Sequence, residues 1–439
     1  MSASRSQLDI LRSVTGTASA KVLTMACAGL LGIVSSRIII QSFGVDAYAQ
    51  YGLLNGIRNL IPFADLGVGA VVLNVVATSE DPSRSPEVLR ALTTSLRALA
   101  LSGAVVAGAA LVIGLGGWWP ALLGHGLLDG GSLTATCCFV VFGLSLPLGV
   151  GTRILIGLRR NTMQAALQGI VSPLFLIGIA LLLASGLDHR GNFVALVSYL
   201  AASLSSLALL VIAARLISPQ VPRALHNVPR LRSKRGMKVV GTAAPMLVQS
   251  IATPIALQSD RLLLSHGASS TALAQYTFAS QIFGLVMQAI IAAGIALWPF
   301  FARARARGEV LGIRRLTAGF LIAALAACGT LATVMPYIED VAADGKVRLP
   351  TELIVGYVVL VAVQALNYPP GMYMTDERGL KFQVVPIVVM MISNVALSWA
   401  LIPYFGAAGP VFGSSIAILV FQVIPNTWWV QRDVRRRRP

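Results

Sequence analysis

Runs of about twenty apolar residues, repeated along the whole chain, constrain this sequence more than any other feature. A bilayer core about 30 Å thick takes about 20 residues of helix to cross. Within it every backbone N–H and C=O must be bonded inside the protein, which makes helices the natural spanning element. Twelve such runs are legible. The first six are Ala20 to Phe43, Gln50 to Thr78, Ala91 to Leu115, Leu133 to Leu155, Met163 to Ser185 and Asn192 to Ala214. The second six are Met237 to Ser265, Ala274 to Phe301, Leu316 to Pro336, Thr351 to Met372, Phe382 to Pro403 and Pro410 to Val430. Soluble domains carry about 25% charged residues; this chain carries 12%, with a mean hydropathy of +0.77. That is too little polar surface to cover a soluble fold of 439 residues. The expected fold class is an all-α integral membrane protein with twelve transmembrane helices.

The positive charges then orient the bundle. Cytoplasmic loops of membrane proteins are enriched in Lys and Arg. With both termini cytoplasmic, only Arg190, Arg261, Lys346 and Arg348 of the 34 Lys and Arg lie on the outer side, Arg261 at the outer end of span seven, and Arg37, Arg58 and Arg97 fall within spans. The remaining 27 lie on the cytoplasmic side. Membrane insertion therefore explains the net charge of +17 and no nucleic acid is called for. Residues 1–19 lack a signal-peptide core and are expected to form a cytoplasmic lead-in segment. The tail, residues 431–439, is polybasic (Arg435 to Arg438) and suits either a stop-transfer anchor or contact with anionic lipid.

A repeat divides the chain. Arg37-Ile-Ile-Ile-Gln-Ser-Phe-Gly44 followed by Ala49-Gln50-Tyr51 resembles Arg261-Leu-Leu-Leu-Ser-His-Gly267 followed by Ala274-Gln275-Tyr276. The two copies flank a basic, Pro-punctuated linker at residues 215–236, between an N-lobe at 20–214 and a C-lobe at 237–430. Six spans per half give both halves one orientation. That is a parallel repeat around a central cavity, an arrangement found in alternating-access transporters.

Ionisable and amide groups in a span are costly and normally face a cavity or a partner. On span two, Asn55, Arg58, Asn59, Pro62, Asp65 and Gly69 recur at helical steps on one face. Arg37, Arg58, Asp65 and Arg261 are the charged cavity candidates, although snorkelling competes with that role at Arg37 and Arg261. Arg261 is expected to pair with Asp260 at the interface. Gln249, Gln281, Gln288, Gln364, Asn367 and Tyr368 add an uncharged polar lining that suits sugar hydroxyls, or bonds one helix to another. Asp65 is the coupling candidate, because a buried carboxyl can exchange a proton; it equally suits a fixed partner of a cavity arginine. No Cys/His metal spacing, phosphate-binding loop or catalytic constellation is present, so no metal, no cofactor and no enzyme activity are expected. Glu339, Asp340 and Asp344 read as a solvated outer loop.

Several stretches carry a family resemblance. Pro62-Phe-Ala-Asp65-Leu-Gly-Val-Gly69 resembles the "DLGLG" stretch of the bacterial polysaccharide-export, or O-antigen, flippases of the multidrug/oligosaccharidyl-lipid/polysaccharide exporter superfamily. Gly157-Leu-Arg159-Arg160, Asp260-Arg261 through Trp298-Pro299, and Phe405-Gly-Ala-Ala-Gly409 are similar to that family as well. The resemblance implies a polyprenyl-diphosphate-linked oligosaccharide as substrate, moved from the cytoplasmic to the periplasmic leaflet of the bacterial inner membrane for surface polysaccharide synthesis. It also implies a proton or sodium ion as candidate coupling ion and a polysaccharide polymerase as candidate partner. The alternative is a proton- or sodium-coupled multidrug antiporter of the same superfamily. A cation site would favour carboxylates and aromatic faces, whereas the charges within spans here are mainly arginines.

Overall fold

The computed structural model describes residues 29–60, 68–186, 190–230, 244–306 and 313–437, and every regular element among them is helical. The first helices are α1 (Gly29–Phe43), α2 (Val45–Leu60), α3 (Val68–Thr78), α4 (Pro86–Leu115), α5 (Trp119–Leu123) and α6 (Gly131–Ser145). They are followed by α7 (Val150–Gly157), α8 (Asn161–Gly169), α9 (Val171–Ala184), α10 (Val194–Leu216), α11 (Gln220–Asn227) and α12 (Ala244–Gly267). The last six are α13 (Ser270–Ala306), α14 (Ile313–Ala343), α15 (Thr351–Tyr373), α16 (Glu377–Phe405), α17 (Gly409–Ile418) and α18 (Ile424–Arg437).

Among the described residues, eight helical stretches are long and apolar enough to cross a bilayer. Those from α4 to α10 and from α13 to α15 each coincide with one run expected from the sequence. The eighth, Arg378–Arg436, contains two. It is broken at Gly406, whose φ of +51° is readily adopted only by a residue without Cβ. The α12 helix is not among the eight, because it carries Gln249, Gln258, Asp260 and Arg261.

The chain forms two compact units. The first comprises Met1–Ser35, Pro62–Trp119 and Asp129–Gly241; the second comprises Ser36–Ile61, Pro120–Leu128 and Thr242–Pro439. In the first unit, local chemistry starts α4: the Ser85 hydroxyl accepts from Val88 N at 3.4 Å, Pro86 opens the helix and Glu87 favours its positive end. Helices α4 and α6 touch through glycine on both sides. A Cβ on Gly103 would lie 2.2 Å from Gly143 O, and one on Gly143 would lie 2.5 Å from Gly103 O. Such small-residue contacts let membrane helices pack without a hydrophobic drive between them. Val72, Val76, Leu92, Leu96, Ile154 and Leu209 form the apolar core. Leu101, Val105, Val112 and Leu115 of α4 are exposed, as a face toward acyl chains should be.

The start of the expected linker is structured. Helix α11 bonds to the beginning of α4 through Gln220 Nε2, which donates to Ser85 O at 3.1 Å. Arg97 closes the other end: its guanidinium donates to the carbonyls of Asn227, Val228 and Arg230 at 2.7–3.0 Å. An arginine near the end of a span thus caps a helix, using donors that a C-terminus needs.

In the second unit, α14 continues through Pro336 to Ala343, well past the end expected from the sequence. Glu339 is buried in its last turns rather than solvated. It accepts from Leu349 N at 3.1 Å and lies 3.7 Å from Arg348 Nη1, while Arg348 Nη2 meets Asp340 at 3.0 Å. The acidic segment is therefore a helix-end clamp.

Candidate functional site

The site grows out of a Gly52-Leu-Leu-Asn-Gly56 step on α2. Both glycines lie on one face, four residues apart, and each receives a neighbouring helix. A Cβ on Gly52 would lie 2.2 Å from Thr277 Oγ1 of α13, and one on Gly56 would lie 2.7 Å from Arg261 Cδ of α12. The missing side chains thus make room for the Arg261 side chain against the α2 backbone.

Arg261 is half-buried there and makes only neutral contacts. Its Nη1 donates to Gln258 Oε1 at 2.9 Å and its Nη2 to Ser280 Oγ at 2.7 Å; Nε is buried without an acceptor. The guanidinium carbon stands 5.7 Å from the centre of the Tyr276 ring. No carboxylate is within ion-pairing distance of it among the described residues. A guanidinium in low dielectric with one N–H unused is equipped to bind an anion. Tyr51 lies within electrostatic reach of both Arg261 and Arg58. Tyr51 stacks on Tyr48 at 6.0 Å, and Gln281 Oε1 accepts from Tyr48 OH and from Ser36 Oγ, both at 3.0 Å.

The expected Asp260–Arg261 pair does not form. Neighbours on a helix point about 100° apart, and Asp260 turns away into a buried hydroxyl nest. Its carboxylate accepts from Tyr276 OH at 2.9 Å and from Ser398 Oγ and Ser414 Oγ at 3.3 Å. Asn394 Nδ2 donates to Ser414 Oγ at 2.6 Å, and Asn394 Oδ1 is buried without a donor. This node was missed in the sequence. Its signal was the i, i+4 spacing of Asn394 and Ser398 on α16, facing Ser414 of α17.

A second polar group surrounds α15. Asn367 Nδ2 donates to Gln422 Oε1 at 2.9 Å, and Asn426 Nδ2 to Asn367 Oδ1 at 3.3 Å. Gln422 sits in a π-helical turn, Leu419–Val423, which joins α17 to α18. Such turns recur at functional sites because they redirect side chains. Tyr368 packs its ring over Gly294 of α13, where a Cβ would come within 2.6 Å. Gln364 is buried on the same helix.

The other candidates are dispersed. Arg37 is exposed and donates to Val341 O of α14 at 2.8 Å. Asn55 Nδ2 bonds back to Tyr51 O at 2.9 Å, Asn59 and Gln288 are exposed, and Gln281 is engaged as described. Gln249 lies on α12. Asp65, the coupling candidate, lies outside the described residues, as do Pro62 and most of the motif around it. Arg58 and Arg261 thus share electrostatic reach to Tyr51, whereas Arg37 bonds to α14.

A family model described as polysaccharide biosynthesis protein matches residues 60–305, more than half of the chain. A Salmonella typhi protein that carries the name O-antigen transporter is 21% identical over 409 residues, covering 90% of each chain. Among solved structures, an inward-facing multidrug resistance MATE family transporter of the MOP superfamily superimposes with a TM-score of 0.68 at 15% identity, covering 93% of this chain and 96% of that one. The lipid II flippase MurJ, in an inward closed conformation, gives 0.63 at 12% identity, covering 95% and 89%. At these identities the likeness to the solved structures is one of fold. With a family model matching more than half of its length, the chain belongs to the polysaccharide biosynthesis protein family.

Proposed function

We propose that this protein is a flippase for polyprenyl-diphosphate-linked oligosaccharide repeat units, carrying them from the cytoplasmic to the periplasmic leaflet of the bacterial inner membrane. The observation that carries this reading is the Arg261 guanidinium, held against Gly56 with Nε unused and with no ion-pairing carboxylate among the described residues, while Arg58 and Arg261 both act electrostatically on Tyr51. Guanidinium groups stay charged at any physiological pH and bind phosphate oxygens in a fork. A diphosphate offers the matching charge, and the surrounding amides and tyrosines suit hydroxyl-rich sugars. Family membership and the S. typhi relative support the same substrate class.

Transport proceeds by alternating access between two six-helix lobes of a twelve-span protein, with both termini in the cytoplasm. The headgroup passes through the polar interior while the polyprenyl chain stays in lipid. A proton or sodium gradient supplies the drive, with Asp65 as the coupling carboxyl.

The test is a gene deletion, followed by measurement of lipid-linked glycan exposed to a membrane-impermeant glycosidase on spheroplasts. Loss of exposed glycan, restored by wild type and not by Arg58→Ala or Asp65→Ala, supports the reading. Unchanged exposure with new sensitivity to cationic dyes overturns it in favour of a multidrug antiporter.

A further inference from the structure

At one end of the second unit, α14, α15 and α18 line a half-open cavity of about 540 Å³. That is a usual size for a small-ligand site, which runs about 300–1,000 Å³. Its chemistry is divided. Leu321, Leu366, Pro370, Val430 and Val434 form apolar walls, while Arg314 and Arg435 stand at its edge as exposed cations. The positive charge extends beyond the rim: Arg432 lies over the Trp428 ring at 5.3 Å, and with Arg435 and Arg436 it lines a shallower adjoining hollow. The one acid of α18, Asp433, accepts from Tyr373 OH at 2.7 Å. Two arginines far apart in sequence, one following the eighth expected span and one in the polybasic tail, are thus brought to one apolar groove.

We infer that this groove is a binding site for an anionic phospholipid of the cytoplasmic leaflet. The phosphate takes the forks of Arg314 and Arg435, and an acyl chain runs along Leu321, Leu366 and Val430. Charge complementarity selects the occupant. A zwitterionic lipid would bring its own cation to a rim that already holds two, whereas an acidic headgroup neutralises them. An apolar wall beneath the charges requires a ligand with a hydrocarbon portion, which excludes a free phosphate. None of the lining residues belongs to the Arg58–Arg261 site, so the groove holds a resident lipid rather than the transported one. It also gives the polybasic tail a specific role beyond anchoring, because it joins α18 to α14 through a shared ligand.

The test is native mass spectrometry of the full-length protein titrated with dioleoyl phosphatidylglycerol or dioleoyl phosphatidylcholine. The expected result is at least tenfold tighter retention of phosphatidylglycerol, consistent with about fivefold per arginine near a surface. Arg314→Gln/Arg435→Gln should abolish that preference. Leu366→Trp should abolish it as well, because it fills the groove and keeps the charge. Arg215→Gln/Arg223→Gln removes the same charge from exposed positions in the first unit and should retain the preference. Thermal melting of each variant checks folding. Equal retention of the two lipids, or a preference that survives in Arg314→Gln/Arg435→Gln, overturns the proposal. So does displacement of phosphatidylglycerol by polyprenyl phosphate at a hundredth of its concentration, which would make the groove a substrate site.

Discussion

Arg261 rests on Gly56: the arginine's Cδ occupies space that any larger residue at position 56 would claim, since a Cβ there would lie 2.7 Å from it. One glycine on α2 therefore sets where the guanidinium of α12 points. Gly56→Ala is expected to displace that group, at a cost of about 1–3 kcal/mol in stability, and to slow glycan transport more than tenfold. Transport at the wild-type rate, with expression matched, would show that the position of Arg261 is immaterial.

The same step on α2 makes a second contact that can be tested as a pair. Gly52→Ala meets Thr277 Oγ1 and Cγ2 at 2.2 and 2.4 Å. It should lower the melting temperature, with an overpacking cost of about 1–3 kcal/mol. Thr277→Ala removes both atoms and leaves only Cβ, at 2.8 Å, so the double variant should recover part of the loss. Strictly additive melting shifts would mean that the two residues do not share this contact.

Asp260 gives a stability prediction that separates hydrogen bonding from charge. Asp260→Asn keeps one acceptor, and the facing hydroxyls of Tyr276, Ser398 and Ser414 can rotate to accept from its amide, so the cost should be about 1 kcal/mol. Asp260→Leu strands the Tyr276 hydroxyl, leaves Ser398 only its 3.4 Å bond to Pro410 O and takes the acceptor from Ser414, and should cost about 3 kcal/mol. Equal melting temperatures for the two variants would remove the hydroxyl nest as a source of stability.

Arg159 closes α7 in the left-handed region, with φ +58°. Arg160 N bonds to Leu155 O and Arg159 N to Ile156 O, both at 2.9 Å, the paired bonds of a glycine-type helix stop. Holding an L residue there costs about 1 kcal/mol. Arg159→Gly should therefore raise the melting temperature by about 1–3 °C, whereas Arg159→Val should lower it. A fall with glycine would assign the arginine side chain a structural contact of its own.

Much of the helical plan was legible because apolar length and a few caps are local signals. The Ser85-Pro86-Glu87 start marks α4 within its own sequence, and the runs from Ala91 to Ala214 all have a helical counterpart. What was not legible depended on partners distant in the chain. Asp260 and Arg261 looked like an ion pair by adjacency, yet helical rotation sends them to α16–α17 and to α2. Glu339 looked solvated because Pro336 suggested a helix end, but buried helices tolerate proline when the surroundings satisfy the freed carbonyl. Among the site candidates, the polar face of α2 was visible from its spacing. The glycines that admit Arg261 to that face are not legible in the sequence, since a glycine's value lies in what fills the space beside it.

The most direct test of the arginine site is translocation by the purified protein in liposomes. A polyprenyl-diphosphate-linked sugar, placed in both leaflets, is scored by its access to an impermeant glycosidase. Wild type should carry the inner-leaflet pool outward. Arg58→Ala and Arg261→Ala should each be about 10- to 100-fold slower, matching the loss of one charge-assisted contact of about 1.5–3 kcal/mol. Arg261→Lys should restore only part of the rate, because an ammonium cannot form the fork. Wild-type rates in both alanine variants, with melting temperatures unchanged, would contradict the assignment of these arginines to the diphosphate.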